Sequence, residues 1–204
     1  MICLTGGSAP YDRPVPADPP ALADSVRLAW PAEAEAIAAL QRRGWAATLP
    51  SEVAGPLLDG VDVTEMTQAW AAVLGRPADA RQRVLVAVDG SVAEGRLVGF
   101  ATTVPAQDGD AEPGVDGEVD QFWIDPPAQR RGHGSRLLNA CADTLRADGF
   151  RRARWWVSAA DDVLRAFLTG SGWAPDGAHR EIGSEDGSVR IRQVRLHTDL
   201  GDGA

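Results

Sequence analysis

The sequence predicts a mixed α/β domain in which a central sheet is covered by helices on both faces. Three observations carry this. Short continuous apolar runs of strand length alternate with stretches whose apolar residues recur at helical spacing. Their order reads β-α-α-β-β-β-α-β-α-β-β. A chain of 204 residues, 44% hydrophobic, suffices for one sizeable core and is short for two.

Residues 1–20 hold Pro10, Pro14, Pro16, Pro19 and Pro20 with little apolar content, and predict a flexible tail ahead of a single domain over 21–204. The first strand falls at 25–30. Pro31 suits the first turn of a helix running to about residue 43, with Glu33 and Glu35 near its positive end and Gly44 as its stop. Residues 46–62 contain Pro50, Gly55, Pro56 and Gly60, which predict loop. A second helix spans about 64–74.

Strands follow at 84–88, closed by Asp89-Gly90, and at 97–104. A Gly/Asp/Pro-rich loop over 105–117 leads into a strand at 118–124. The helix at 134–148 places Leu137, Leu138, Cys141 and Leu145 on one face and stops at Gly149. A strand at 153–157, a helix at 161–169 and short strands near 179–182 and 189–196 complete the order.

Composition excludes several classes of function. The net charge of −9 and the pI near 4.8 disfavour nucleic acid and anionic membranes as partners, and favour cationic small molecules or basic peptides. The Arg130–Arg131 pair and Arg151, Arg152 and Arg154 are local exceptions. Lys is absent, so a Gly-Lys-Ser/Thr phosphate loop is excluded. Cys3 and Cys141, and the dispersed His133, His179 and His197, give neither a disulfide framework nor metal-ligand spacing. No apolar run reaches the length of a membrane span, and the first residues lack the pattern of a secretory signal, so the cytoplasm is the expected location.

The segment over 118–135 carries the chemistry. A strand leads into a turn in which Gly132 and Gly134 flank His133 at the start of a helix. Bare amides at a helix N-terminus bind phosphate oxygens, and glycines let the backbone approach the anion. Arg130 and Arg131 add charge. A dinucleotide fingerprint would need Gly or Ala at position 137, where Leu stands.

Residues 129–134, Gln-Arg-Arg-Gly-His-Gly, resemble the pyrophosphate loop of the GNAT superfamily of acetyl-CoA-dependent N-acetyltransferases, Gln/Arg-x-x-Gly-x-Gly/Ala. Residues 118–126 resemble that family's fourth strand, and 156–173 its segment ending in Gly-Phe, here Gly172-Trp173. The likeness covers about 25–198. It implies a mostly antiparallel sheet whose fourth and fifth strands splay apart around the pantetheine arm of acetyl-CoA. Backbone groups of Phe122, Trp123 and Ile124 would bond that arm. Gln129 belongs to the loop motif, and amides of Arg130, Arg131, Gly132, His133, Gly134 and Ser135 would hold the pyrophosphate. Asp161 stands at the family's Asn position and is expected to bond the arm or the substrate. Dimers are frequent in such families, so a homodimer is an open possibility.

The reaction so implied is attack by a neutral primary amine of a small molecule or peptide on the acetyl thioester. An alkylammonium has a pKa near ~10, so a base is needed. Glu118, directly or through water, is the first candidate, and Asp120 the second; the alternative is that both are solvated strand-end carboxylates. The family's usual acid, a Tyr after Phe167, is Leu168 here, and the only tyrosine is Tyr11. Ser158, a water, or departure of an unprotonated thiolate are the substitutes. A non-catalytic acyl-CoA sensor is the competing function. Trp155 and Trp173 are expected in the core, and so are Trp30 and Trp45, although these two, near the substrate loops, are the better candidates for a substrate box. Asp108, Asp110, Glu112 and Asp116 are expected in solvent, with attraction of a cationic amine as the lesser reading.

Overall fold

A computed structural model describes residues 24–49, 51–90, 95–183 and 190–201. The expected tail, with Cys3 and Tyr11, lies outside them. The elements in chain order are β1 (Asp24–Leu28), α1 (Ala34–Thr48), α2 (Ser51–Gly60), α3 (Val63–Gly75), β2 (Arg83–Asp89), β3 (Arg96–Pro105), β4 (Asp116–Ile124), α4 (His133–Ala147), β5 (Arg152–Ser158), α5 (Asp162–Gly170), β6 (Ala174–Gly183) and β7 (Arg190–Asp199). Short 3₁₀ turns at Pro31–Glu33 and Pro126–Ala128 precede α1 and the α4 loop.

The sheet order is β1-β2-β3-β4-β5-β7-β6. Every pairing is antiparallel except β4 with β5, which is parallel and extends only over Asp116, Gly117 and Glu118. Beyond Glu118 the two strands part, as the resemblance implies. β2 is buried on both sides, which explains its unbroken apolar run: Leu85 and Ala87 face one core, Val84, Val86 and Val88 the other.

The first core packs α4 against the sheet through Leu137, Leu138, Cys141 and Leu145, the stripe visible in the sequence. The second packs α1 and α3 through Ile37, Leu40, Met66 and Trp70 onto Phe100, with Trp70 meeting Phe100 edge-on at 5.1 Å. A fully buried side chain such as Ile37 or Phe100 contributes about 1.5–3 kcal/mol. Both faces of the sheet are thereby covered.

Two expectations near the N-terminus fail. Gly44 does not end α1, which continues to Thr48. Its role is clearance: a Cβ there would lie 2.3 Å from Cε3 of Trp123, so the missing side chain lets helix and strand approach. The expected loop at 46–62 contains α2, with Pro56 inside it. Arg42 of α1 holds the C-terminal end of that helix, donating to the carbonyls of Leu58 (2.8 Å) and Val61 (2.7 Å). Those contacts come from outside the segment and offset the local bias against helix.

Candidate active site

The loop before α4 takes an unusual backbone path. Arg130 has φ 61° and Gly132 φ 87°, both left-handed, and the chain turns into α4 at His133. Among the described residues no side chain caps this helix, and its first turn holds no acidic residue. The contrast within the molecule is direct: Asp62 caps α3 through the amides of Thr64 and Glu65, and Asp161 caps α5 through that of Leu164. The first-turn amides of α4 and its positive end therefore meet no side-chain acceptor among the described residues, an arrangement that suits an external anion. Gln129 donates to the Ile124 carbonyl (3.3 Å), which ties the loop to the end of β4. Arg130 and Ser135 are exposed, while the His133 ring is buried with Nε2 unpartnered. Arg131 is already paired with Asp89 at 3.0 Å.

The β4–β5 gap opens beside this loop. Phe122 and Ile124 pack toward the α4 core, and Phe122 lies 4.9 Å from the Trp155 ring. Trp123 points the other way, onto Gly44. A Cβ added to Gly134 would sit 3.8 Å from Ile124 and 3.9 Å from Phe167, so that glycine forms part of the wall between β4 and α5.

Next to the gap, Glu118 and Asp120 line one cavity of about 430 Å³ with Asp108, Gln82 and Arg180. They share it because they stand two residues apart on one face of β4. A bulge follows directly, where Thr102 pairs with Gln121 and Thr103 with Val119, leaving Asp120 as the extra residue. Burial raises the Glu118 carboxyl to about 7; the nearby charges of Asp108 and Asp120 push the same way, and Arg180 and Arg195 oppose them. Asp120 is open to water in the cavity, yet desolvation by the surrounding protein raises it too, against a hydrogen bond from Thr102. Neither carboxylate makes an ion pair among the described residues. Such placement in a concavity differs from that of a freely solvated strand end, and a carboxyl titrating near neutrality is suited to proton transfer.

The acidic loop is solvated only in part: Asp110 and Glu112 are exposed as expected, whereas Asp116 is buried and Asp108 half-buried. Arg195, almost wholly buried, binds Asp108 (3.0 Å), Asp110 (2.6 Å) and Asp176 (2.6 Å). Arg154 binds Asp110 (3.1 Å) and Asp116 (2.7 Å), and Arg152 also reaches Asp116. The Trp156 indole N–H donates to Asp108 at 3.0 Å, and Arg180 stacks 4.3 Å from that ring. Asp108, expected in solvent, and Arg180, which no local pattern singles out, are both cavity residues; their partners come from strands far along the chain.

Leu168 is fully buried and presents no donor. Ser158 accepts the Ala160 amide at 3.3 Å, and Asp161 is occupied as the α5 cap. Trp155 and Trp173 are in the core as expected. Trp30 is exposed beneath Arg27, 3.5 Å from its ring, whereas Trp45 faces a second cavity. Among the described residues no group of three His, Cys, Asp or Glu is arranged for a metal ion, and no helix is long and apolar enough to cross a membrane.

The sequence model of the acetyltransferase (GNAT) family matches residues 58–173. A mycothiol acetyltransferase from Beutenbergia cavernae is 36% identical over 67 residues, which is 33% of this chain and 23% of that protein. The match thus spans under a quarter of that relative's length. An N-acetyltransferase from Staphylococcus aureus superposes with a TM-score of 0.67 at 17% identity, over 87% of this chain and 99% of that one. A phosphinothricin acetyltransferase from Sinorhizobium meliloti, in complex with acetyl-CoA, gives 0.66 at 18% identity, over 90% and 91%. At these identities the two structures establish the shared fold.

Proposed function

The chain belongs to the acetyltransferase (GNAT) family, and on that premise we propose that it moves an acetyl group from acetyl-CoA to a primary amine of a small molecule or peptide. The observation that carries this is the uncapped, acid-free N-terminus of α4 beside the parted strands, with Glu118 in the adjoining cavity.

The residues present fit acetyl-CoA. Amides at 133–135 and Arg130 suit its phosphates, and the gap bounded by Ile124, Gly134 and Phe167 suits an unbranched arm. Bound there, acetyl-CoA supplies an activated thioester whose C–S bond breaks as the amine forms the C–N bond. The chain's own task is to deliver that amine uncharged. Glu118, ionised above about pH 7, accepts a proton from the incoming ammonium directly or through water. Asp120 and Asp108 draw the cation toward it. Leu168, buried in the core, offers no acid, so the leaving thiolate takes its proton from the Ser158 hydroxyl or from water, or departs as the anion.

Calorimetric titration with acetyl-CoA, CoA and NADH tests the first half of this proposal, and thiol release with an amine panel tests the second. Binding of both CoA species and not NADH, with release dependent on amine, is the expected result. Absence of CoA binding overturns the assignment. Burial of Leu168 favours one other function, an acyl-CoA sensor; tight binding with no turnover across the panel would establish it.

A further inference from the structure

A second cavity, of about 270 Å³, adjoins the acidic one, and Gln82 and Asp120 line both. Its character is different. Trp45, Met66, Trp70 and Val73, from α1 and α3, form its walls, and Asp120 at the junction is its only charged residue among the described ones. Its floor is held rigid from within. Gln41, itself buried, donates from Nε2 to Gln121 Oε1 (2.7 Å) and accepts the Trp70 indole N–H on Oε1 (2.9 Å). Gln41 thereby fixes an α3 wall against the strand that carries the candidate base.

Two joined spaces of opposite character select an amphipathic ligand. We propose that the acceptor is a small primary amine bearing an aromatic or branched-aliphatic arm, its nitrogen at Glu118 and Asp120 and its arm against Trp45, Met66 and Val73. This rests on the acetyl-transfer function proposed above and specifies its substrate class. A ligand with a carboxylate or phosphate beside its nitrogen is disfavoured. Among the described residues the acidic cavity offers one Arg, and Arg180 is already bonded to Gln193 (2.8 Å) and stacked on Trp156. A diamine is disfavoured as well, because its second ammonium would lose water against Met66 and Val73 with Asp120 already facing the first.

Ala69 gives a clean test. It lines the arm cavity yet is exposed on α3, so Ala69→Trp fills the space without displacing core. Ala72→Trp, exposed on the same helix and lining neither cavity, is the control. With acetyl-CoA, the unaltered protein should favour 2-phenylethylamine over ethylamine by about ten- to a hundredfold in kcat/KM, the range expected for desolvating one such arm. Ala69→Trp should lower kcat/KM for 2-phenylethylamine far more than for ethylamine, so that the preference is lost; Ala72→Trp should leave the preference and acetyl-CoA affinity as they are.

Equal rates for the two amines, a preference for putrescine or phenylalanine, or an Ala69→Trp that slows both amines alike would overturn the substrate class and leave acetyl transfer standing. Titration of 2-phenylethylamine into the CoA-saturated protein reads the cavity without turnover. Binding lost in Ala69→Trp, with no acetylation of any amine, would uphold the cavity as the arm's site and overturn the transfer function instead.

Discussion

The Thr102 hydroxyl donates to Oδ2 of Asp120 at 3.3 Å and accepts the Gln121 amide at 3.0 Å, so one side chain of β3 bridges the bulge in β4. A bulge leaves backbone groups out of register, and here a hydroxyl takes the place of the missing carbonyl. Adjacent Asp120 and Gln121 can then lie on one side of the strand, Asp120 in the cavity it shares with Glu118 and Gln121 bonded to Gln41. The site is thus anchored by a residue that is itself buried.

Thr102→Val keeps the shape and removes the bridge. An N–H left unsatisfied in the interior costs about 1–3 kcal/mol, which for a chain of this size is a fall in Tm of a few degrees. The Thr102 bond also holds the Asp120 carboxyl down, so its loss should raise that group further. Thermal unfolding reads the first effect and a side-chain carboxyl NMR titration the second. A Tm and a titration curve both unchanged would mean the bridge is incidental.

Glu118→Gln should lower kcat/KM at pH 8 by roughly 10²–10⁴-fold and leave acetyl-CoA affinity as it was. The same change should stabilise the fold. Because the folded carboxyl titrates near 7, above an ordinary glutamate, the folded state binds the extra proton between about pH 4.5 and 7. The ionised form is therefore a burden present above pH 7 and absent below about 4.5. Its size is on the order of 1–3 kcal/mol, toward the low end because water reaches the cavity. The variant should melt higher than the parent at pH 8 and level with it at pH 4. A variant that is both inactive and less stable at pH 8 would point to a structural carboxylate.

Much of this was legible in the sequence where the signal is local. The Gly132–Gly134 spacing, the α4 stripe and the apolar run of β2 are written within a dozen residues, and each element formed where expected. The helix α2 was not legible, because the contacts that hold it come from Arg42, sixteen and nineteen positions away from Leu58 and Val61. Nor was the ion network. Asp108 reads as solvent-facing, and Asp110 as unpartnered, until Arg195, more than eighty residues on, is brought across the sheet by β7. The bulge that sets Asp120 apart depends on pairing with β3, which no local pattern encodes.

Gly134→Val should separate binding from folding. Valine is tolerated in the first turn of a helix, and the Cβ itself meets only ordinary contacts with Ile124 and Phe167. Its methyl groups, however, extend into the gap between those two side chains. The expected outcome is acetyl-CoA affinity weakened at least about tenfold, a loss of 1.4 kcal/mol or more, with Tm within a few degrees of the parent. Undiminished affinity by calorimetry would move the arm elsewhere.

Arg195→Met bears on stability and on the candidate base together. The guanidinium joins Asp108, Asp110 and Asp176, and removal leaves the partly buried Asp108 and Asp176 without it. Loss of one partner from such a cluster costs about 3 kcal/mol at pH 7. Burial raises the Asp176 carboxyl, but its bonds to the Ala178 amide and to Arg195 outweigh that and hold it below its ordinary value. A depressed carboxyl contributes stability above its unfolded pKa, near 3.8, and that contribution is lost as pH falls through the folded value. The gap in Tm between parent and variant should therefore be full at pH 7 and shrink below about pH 4. Arg195 also opposes the rise at Glu118, so its loss should move the acid limb of the kcat/KM profile above pH 7. A constant Tm gap together with an unmoved limb would show that Arg195 acts by packing and not by charge.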